Sequence, residues 1–581
     1  MPTLLALPAR PSSEKHAEIG LEPLRSDADQ EFSPVRRLRR LAALERGDLL
    51  VVVVYAVGIG VVSLAVPIAA QTLFNTVAFT ALLQPIVVLG LLVFLGLAVA
   101  GLLRAFQYVV VETLQQRLFV RTTHDTARRI LDADVEAFAH HSPRETINRF
   151  FDVAIVQKAA SSLLLDGLSV VLQSGVSLVL LAFYHPVLFA FDVVLIALIA
   201  FIIFGLGRNG VVTAVKESKT KYAAAAWLEE MAAASRTLKP EAARTFAFSR
   251  ADDLAAGYVG ARAKHFKVVM RQTIALYLLQ AIATAALLAL GGALVVAGQL
   301  TLGQLVAAEI IVTGVLASVA KFGKYLESYY DLAASIDKLG VIIDLPHERP
   351  RGVAGPQSEG PAGLVVEELT YAYGKEAVLR GVSFEVLPGA KVAVLGGDAS
   401  GKSTLVEVLY GLRSADRGRF LLDGIDSRAL SLTDLRRTVS LVAVPELVDA
   451  TVSENIVYGR EALDAGAVAE ALELVELGDE VAALPEGVMT RLGASGCRLT
   501  PTQATRLALA RAVVGAPRLL IIDGTLDRLG PDTALQVLRR IAGARPSTTV
   551  LLFTSRPELA AAVGPYLRLE RGRIAGTEVA S

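Results

Sequence analysis

The sequence predicts an all-α membrane domain of six helices followed by an α/β domain organised round a P-loop. Three observations carry this reading. Six apolar runs of near-spanning length crowd the first 320 residues. An unbroken G-x-x-x-x-G-K-[ST] motif stands at residues 396–404, after an apolar run and before a helical one. A Pro- and Gly-rich stretch, residues 346–363, separates the two halves.

Composition agrees. Of 581 residues, 53% are apolar and only 20% charged, and the mean hydropathy is +0.51. That balance suits a chain partly dissolved in lipid. The 57 basic residues match 57 acidic ones, so net charge gives no reason to expect a nucleic-acid partner. One cysteine, Cys497, excludes an internal disulfide framework. Residues 1–32 are polar and mixed in charge, with no apolar run beside a basic one. A disordered cytoplasmic tail without a cleavable signal peptide is expected there.

In chain order the expected spans are Leu49–Thr72, Gln84–Leu103, Leu163–Tyr184, Pro186–Leu206, Ile274–Val296 and Leu305–Ala320. Each lies near the ~20 residues that cross ~30 Å of hydrocarbon. The sixth, interrupted by Glu309, is the weakest. Arg36, Arg37, Arg39 and Arg40 precede the first span, and the connections after spans two and four are long and basic. Those ends therefore face the cytoplasm. Six crossings return the chain to the side where ATP is, as the P-loop requires. The inner connections continue helical patterning beyond the membrane, with turning points expected at Val135–Phe150 and Tyr222–Glu230. Two carboxylates fall inside spans, Asp192 and Glu309. Each faces either a central cavity, favouring a cationic or polar substrate, or the hydrated outer interface.

After the linker, short β-rich runs lead to Val392–Leu395 and the loop Gly396, Gly397, Asp398, Ala399, Ser400, Gly401, Lys402, Ser403 and Thr404. Such a loop works because backbone N–H groups and a helix N-terminus face phosphate oxygens. Lys402 is expected on the β- and γ-phosphates. Ser403, with Asp523 at the end of a second apolar strand, is expected to hold Mg2+.

At this point the chain resembles the ATP-binding cassette (ABC) exporters in their half-transporter form, over roughly residues 33–575. More loosely, the membrane half looks like bacterial toxin- and peptide-secretion transporters, without the N-terminal peptidase domain some of those carry. The resemblance implies a six-span exporter domain (33–345), a linker (346–363) and a nucleotide-binding domain (364–581). It implies ATP and Mg2+ as ligands, a bacterial inner (plasma) membrane location and a cytoplasmic nucleotide domain. It also makes the two inner turning points coupling helices and places an adenine-stacking aromatic on Tyr373, which residue patterning alone leaves open as a core tyrosine.

The same resemblance exposes departures. The glutamine expected eight positions before Thr451-Val452-Ser453-Glu454-Asn455-Ile456 falls on Ala443. The signature, normally L-S-G-G-Q, reads Leu499-Thr500-Pro501-Thr502-Gln503. Gly524 stands in place of the catalytic glutamate, Gly530 in place of the D-loop aspartate, and Ser555 in place of the switch histidine. No residue of this chain's own site is therefore assigned a catalytic role. A general base contributes about 10²–10⁴-fold, so its loss removes roughly 3–5 kcal/mol of transition-state stabilisation. Ground-state binding needs none of these groups. Two arrangements follow: pairing with a catalytically complete second half-transporter, the favoured one, or a homodimer with two impaired sites acting as an ATP-gated switch or very slow pump. The transported substrate is not legible in the residues.

Overall fold

The computed structural model describes residues 34–77, 84–138, 143–348, 352, 360–460, 462–493 and 498–578. The expected tail at 1–32, most of the linker and Cys497 lie outside them. The chain forms two compact units, Met1–Pro346 and His347–Ser581.

The first unit is helical wherever it is described, apart from short turns and connections. The first apolar run becomes two helices, Arg46–Ser63 and Ala65–Val77, broken at Leu64. Pro67 explains the break, because its ring removes an N–H and collides with the carbonyl one turn back. Two helices are very long, Gln84–Leu131 with 48 residues and Glu241–Val296 with 56. At 1.5 Å per residue they extend about 70 and 85 Å, well beyond the hydrocarbon. Among the described residues, five helices are long and apolar enough to cross a membrane. The sixth run forms the helix Leu302–Ala320, with Glu309 inside it. It continues past Lys321 as the helix Phe322–Ile343.

Over its described residues the first turning point falls where expected, as short helices at Val135–Phe138, Pro143–Asn148 and Arg149–Phe151, with 139–142 outside them. The second does not. Tyr222–Glu230 lies inside the helix Gly210–Ala233, and the chain turns at residues 234–240 instead. The run Ala223–Ala226 propagates helix well, and nothing breaks it before Ser235 and Pro240.

The fourth span ends in a π-helical turn, Phe201–Leu206. Gln272, from the long helix Glu241–Val296, donates its amide to the Ile202 and Ile203 carbonyls at 3.3 and 3.2 Å. The Tyr330 hydroxyl in turn donates to Gln272 at 3.2 Å. Nearer the linker, the buried Lys338 donates to the Ser218 carbonyl at 2.9 Å and lies 3.0 Å from the centre of the Tyr222 ring.

Asp192 is 3% exposed, on the helix face that carries the buried Leu188 and Leu195. That face packs into a cluster with Leu276, Leu287, Ala308 and Val312. Among the described residues, neither carboxylate oxygen of Asp192 has a hydrogen-bond partner. Asp192 thus faces neither a cavity nor an aqueous interface but the chain's own packed helices. Glu309 is half-buried, with Thr313 Oγ1 at 3.4 Å from one oxygen and, among the described residues, no partner on the other.

Among the described residues the second unit contains ten strands: β1 Leu364–Tyr373, β2 Glu376–Val386, β3 Lys391–Leu395, β4 Arg417–Leu422, β5 Ile425–Asp426, β6 Val439–Val442, β7 Leu519–Asp523, β8 Thr549–Thr554, β9 Tyr566–Glu570 and β10 Arg573–Glu578. An antiparallel sheet has the order β2-β1-β4-β5, and a six-stranded sheet the order β10-β9-β3-β8-β7-β6. In the second sheet β6, β7, β8, β3 and β9 run parallel. One core lies between the two sheets, formed by residues such as Leu364, Leu379, Leu405 and Phe553. The other packs helices against the far face of the six-stranded sheet through Ile522, Leu507 and Val537. The inner strands β7 and β8 are almost wholly buried, so they read in sequence as continuous apolar runs.

Candidate functional site

Parallel strands end together, and ligands of such sheets gather at those carboxyl ends. Here β3, β8 and β7 are neighbours. Leu395 pairs with Thr554, and Asp523 with Phe553. That register brings the P-loop, Asp523 and Ser555 to one edge.

The P-loop joins β3 to the helix Lys402–Leu409. Gly396 is demanded by space, since a Cβ there would lie 2.6 Å from Ser400 Oγ and 2.8 Å from the Leu569 carbonyl. The N-cap, Gly401, offers no side-chain cap. The first-turn N–H groups, which have no intrahelical acceptor, are left for a ligand. The buried Ser400 hydroxyl has no partner among the described residues either. Lys402 folds back to donate to the Gly396 and Gly397 carbonyls at 2.6 and 2.8 Å. These donors fit a triphosphate.

Ser403 hydrogen-bonds Asp523. Burial holds the Asp523 carboxyl above the usual carboxylate range, and Glu407 and Asp527 add to this. The Ser403 hydroxyl and Lys402 ammonium pull the other way. A hydroxyl and a carboxylate are the hard oxygen donors that Mg2+ takes, so the pair fits that ion.

Around this core the departures have definite structures. Gly524 sits at φ +60°, and a Cβ on it would meet nothing within 4 Å. Ser555 donates its N–H and its hydroxyl to Asp527 Oδ2, both at 2.8 Å. Thr554 Oγ1 donates to the other oxygen of Asp527. The fully buried Thr525 donates its hydroxyl to the carbonyl of Ala443 at 2.8 Å. The sequence reading missed Asp527 and Thr525. Their only signal was polarity just beyond an apolar strand.

The helix Pro501–Val513 opens on a complete capping box. Thr500 Oγ1 accepts from the Gln503 N–H at 3.2 Å, and Gln503 Oε1 accepts from the Thr500 N–H at 2.8 Å. Pro501 occupies the first helical position, where it is well tolerated. Of the donors at this N-terminus, one is absent by chemistry and two are used internally. The Gln503 amide is further tied to Glu480 at 2.6 Å.

Tyr373 ends β1, pairs with Glu376 across the turn at Gly374 and Lys375, and is 45% exposed. Its hydroxyl lies 3.5 Å from Thr404 Oγ1, on the P-loop helix.

Residues 379–526 match the family described as ABC transporter, and residues 49–319 match the ABC transporter transmembrane region. The chain belongs to the ABC transporters. This ABC transporter is accordingly a multi-span membrane protein with its nucleotide-binding domain on the cytoplasmic side. It is 31% identical over 310 residues to an ATP-dependent lipid A-core flippase of Xanthomonas campestris pv. campestris, covering 52% of each chain. It is 29% identical over 326 residues to the cyclolysin secretion/processing ATP-binding protein CyaB of Bordetella pertussis, covering 55% of this chain and 45% of that protein. It is 25% identical over 436 residues to the alpha-hemolysin translocation ATP-binding protein HlyB of Escherichia coli O157:H7, covering 74% and 61%. The ABC transporter chain thus spans about half the length of the first two of these relatives. A solved bacterial Atm1-family ABC exporter with ATP bound shares its fold at a TM-score of 0.78 and 20% identity, over 93% of this chain and 96% of that one.

Proposed function

We propose that this chain is one half of a dimeric exporter in a bacterial inner membrane, and that its own P-loop holds ATP and Mg2+ without turning the nucleotide over efficiently. Lys402 and the amides of residues 396–404 would grip the phosphates, with Ser403 and Asp523 on the metal and Tyr373 under the adenine. The bound metal would neutralise phosphate charge. The observation that carries the reading is Gly524, a glycine where a hydrolysing member has its base. Asp527, three residues on, is a poor substitute because both its oxygens already accept hydrogen bonds from Thr554 and Ser555.

Turnover then falls mainly to a complete partner subunit. In this family each ATP lies between one subunit's P-loop and the other's signature, so the self-capped helix at Thr500 would face the partner's nucleotide. That feature favours the alternative, a homodimer impaired at both sites and working as an ATP-gated switch or very slow pump. Purification with any co-purifying subunit, followed by ATP-binding and ATPase assays on one sample, tests both. The favoured arrangement expects binding by this chain alone and turnover only with a partner. Substantial ATPase activity from this chain alone would refute both arrangements.

A further inference from the structure

Beside the P-loop helix lies a side chain that no phosphate or metal role uses. Arg413 is 11% exposed, and its guanidinium carbon stands 4.7 Å from the centre of the Tyr373 ring. Nε donates to Glu407, on the P-loop helix, and Nη1 donates to the Tyr371 hydroxyl at 3.0 Å. Tyr371 meets Tyr373 edge-on, with ring centres 5.1 Å apart and planes at 85°. Tyr373 is therefore braced from two directions while nearly half of it stays open.

We propose that Arg413 is a positioning residue for the nucleobase: it backs one face of Tyr373 and sets the other as a fixed, electron-poor platform for the purine. This rests on the reading of the P-loop as an ATP site. An aromatic ring free to swing gives up part of its stacking to rotamer entropy. A guanidinium pinned by a carboxylate and a phenol removes that freedom. It also draws on the ring's negative face, which suits stacking of an electron-rich base opposite. The link through Glu407 ties the base platform to the helix that carries Lys402 and Ser403, fixing the distance between base and phosphates.

The test uses the full-length protein in detergent and calorimetric titration with two probes, Mg-ATP and Mg-tripolyphosphate, which has the phosphates but no base. Arg413→Ala is expected to raise the Kd for ATP about 5- to 10-fold, the range of a partly desolvated cation–π contact, with the tripolyphosphate Kd unchanged. Arg413→Lys keeps a cation for Glu407 but loses the flat stacking surface. It should move in the same direction by a smaller factor, and it serves if the alanine variant does not fold. Unchanged or tighter ATP binding in both variants would overturn the proposal, the latter by showing that the guanidinium occupies the face the base needs. Equal loss for both probes would overturn it too, as general damage. If the wild-type chain binds neither probe, the ATP-site reading itself fails, which is a distinct result.

Discussion

Restoring a carboxylate at Gly524 separates strain from chemistry. The backbone there has φ +60°, where a residue with a Cβ costs about 1–2 kcal/mol. Among the described residues, no atom beyond its immediate chain neighbours lies within 4 Å of the would-be Cβ, so collision with the surroundings adds nothing. Gly524→Glu should therefore fold with a stability loss of about 1–2 kcal/mol, read as a small drop in the unfolding temperature of the nucleotide domain. The new carboxylate would join Asp523, Asp527 and Glu407, which already crowd one another. Added Mg2+ should recover part of the loss. A general base is worth up to about 10²–10⁴-fold, but Ser555 still offers no imidazole and remains engaged with Asp527. Single-turnover hydrolysis with protein in excess should rise about tenfold or more, while the Kd for ATP stays within about twofold. Two results would refute the reasoning. A tenfold loss of ATP affinity would make Gly524 part of the binding surface rather than a vacated base. An unchanged single-turnover rate would mean the missing glutamate does not limit this site.

Three further outcomes are expected. Asp192→Leu should stabilise the solubilised protein by about 1–3 kcal/mol, because an unpartnered buried polar group gives way to an apolar one between Leu188 and Leu195; a lower unfolding temperature would contradict this. Thr500→Ala should lose the capping box and about 1 kcal/mol of nucleotide-domain stability, with ATP affinity at this chain's own P-loop unchanged in titration. Lys338, facing Asp152, Tyr222, Lys221, Arg149 and Asp337, is pushed by burial from 10.5 to about 7. The folded chain then releases a proton that the unfolded chain keeps, so this group's contribution to stability rises with pH between about 7 and 10.5 and is flat below. Thermal unfolding followed by the single tryptophan, Trp227, should show that slope, and Lys338→Met should flatten it.

What was legible in the sequence is what local chemistry dictates. Lipid requires continuous apolar helices, so the runs around Val52, Leu195 and Leu287 announced themselves. The P-loop is a contiguous motif, and the Ser403–Asp523 contact follows from the fold it belongs to. Side-chain direction was less visible. Hydropathy said that Asp192 lay in a span but not that Leu188 and Leu195 would carry it inward. The second turning point was displaced because the charges and aromatics around Trp227 resemble a surface turn, whereas the alanines beneath them continue the helix. Arg413 on Tyr373 and Asp527 on Ser555 join residues 40 and 28 positions apart, across loops whose paths are set only by tertiary packing.

The π-turn at Phe201–Leu206 bears on how such a protein is inherited. Its freed carbonyls are satisfied by Gln272, 70 positions later in the chain at the first of them. The bend of one helix is thus encoded partly in another. A chimera that exchanged the fourth span alone would import the apolar residues but not the amide that completes their widened turn. The two helices form a single unit of exchange, and sequence change in either is constrained by the other.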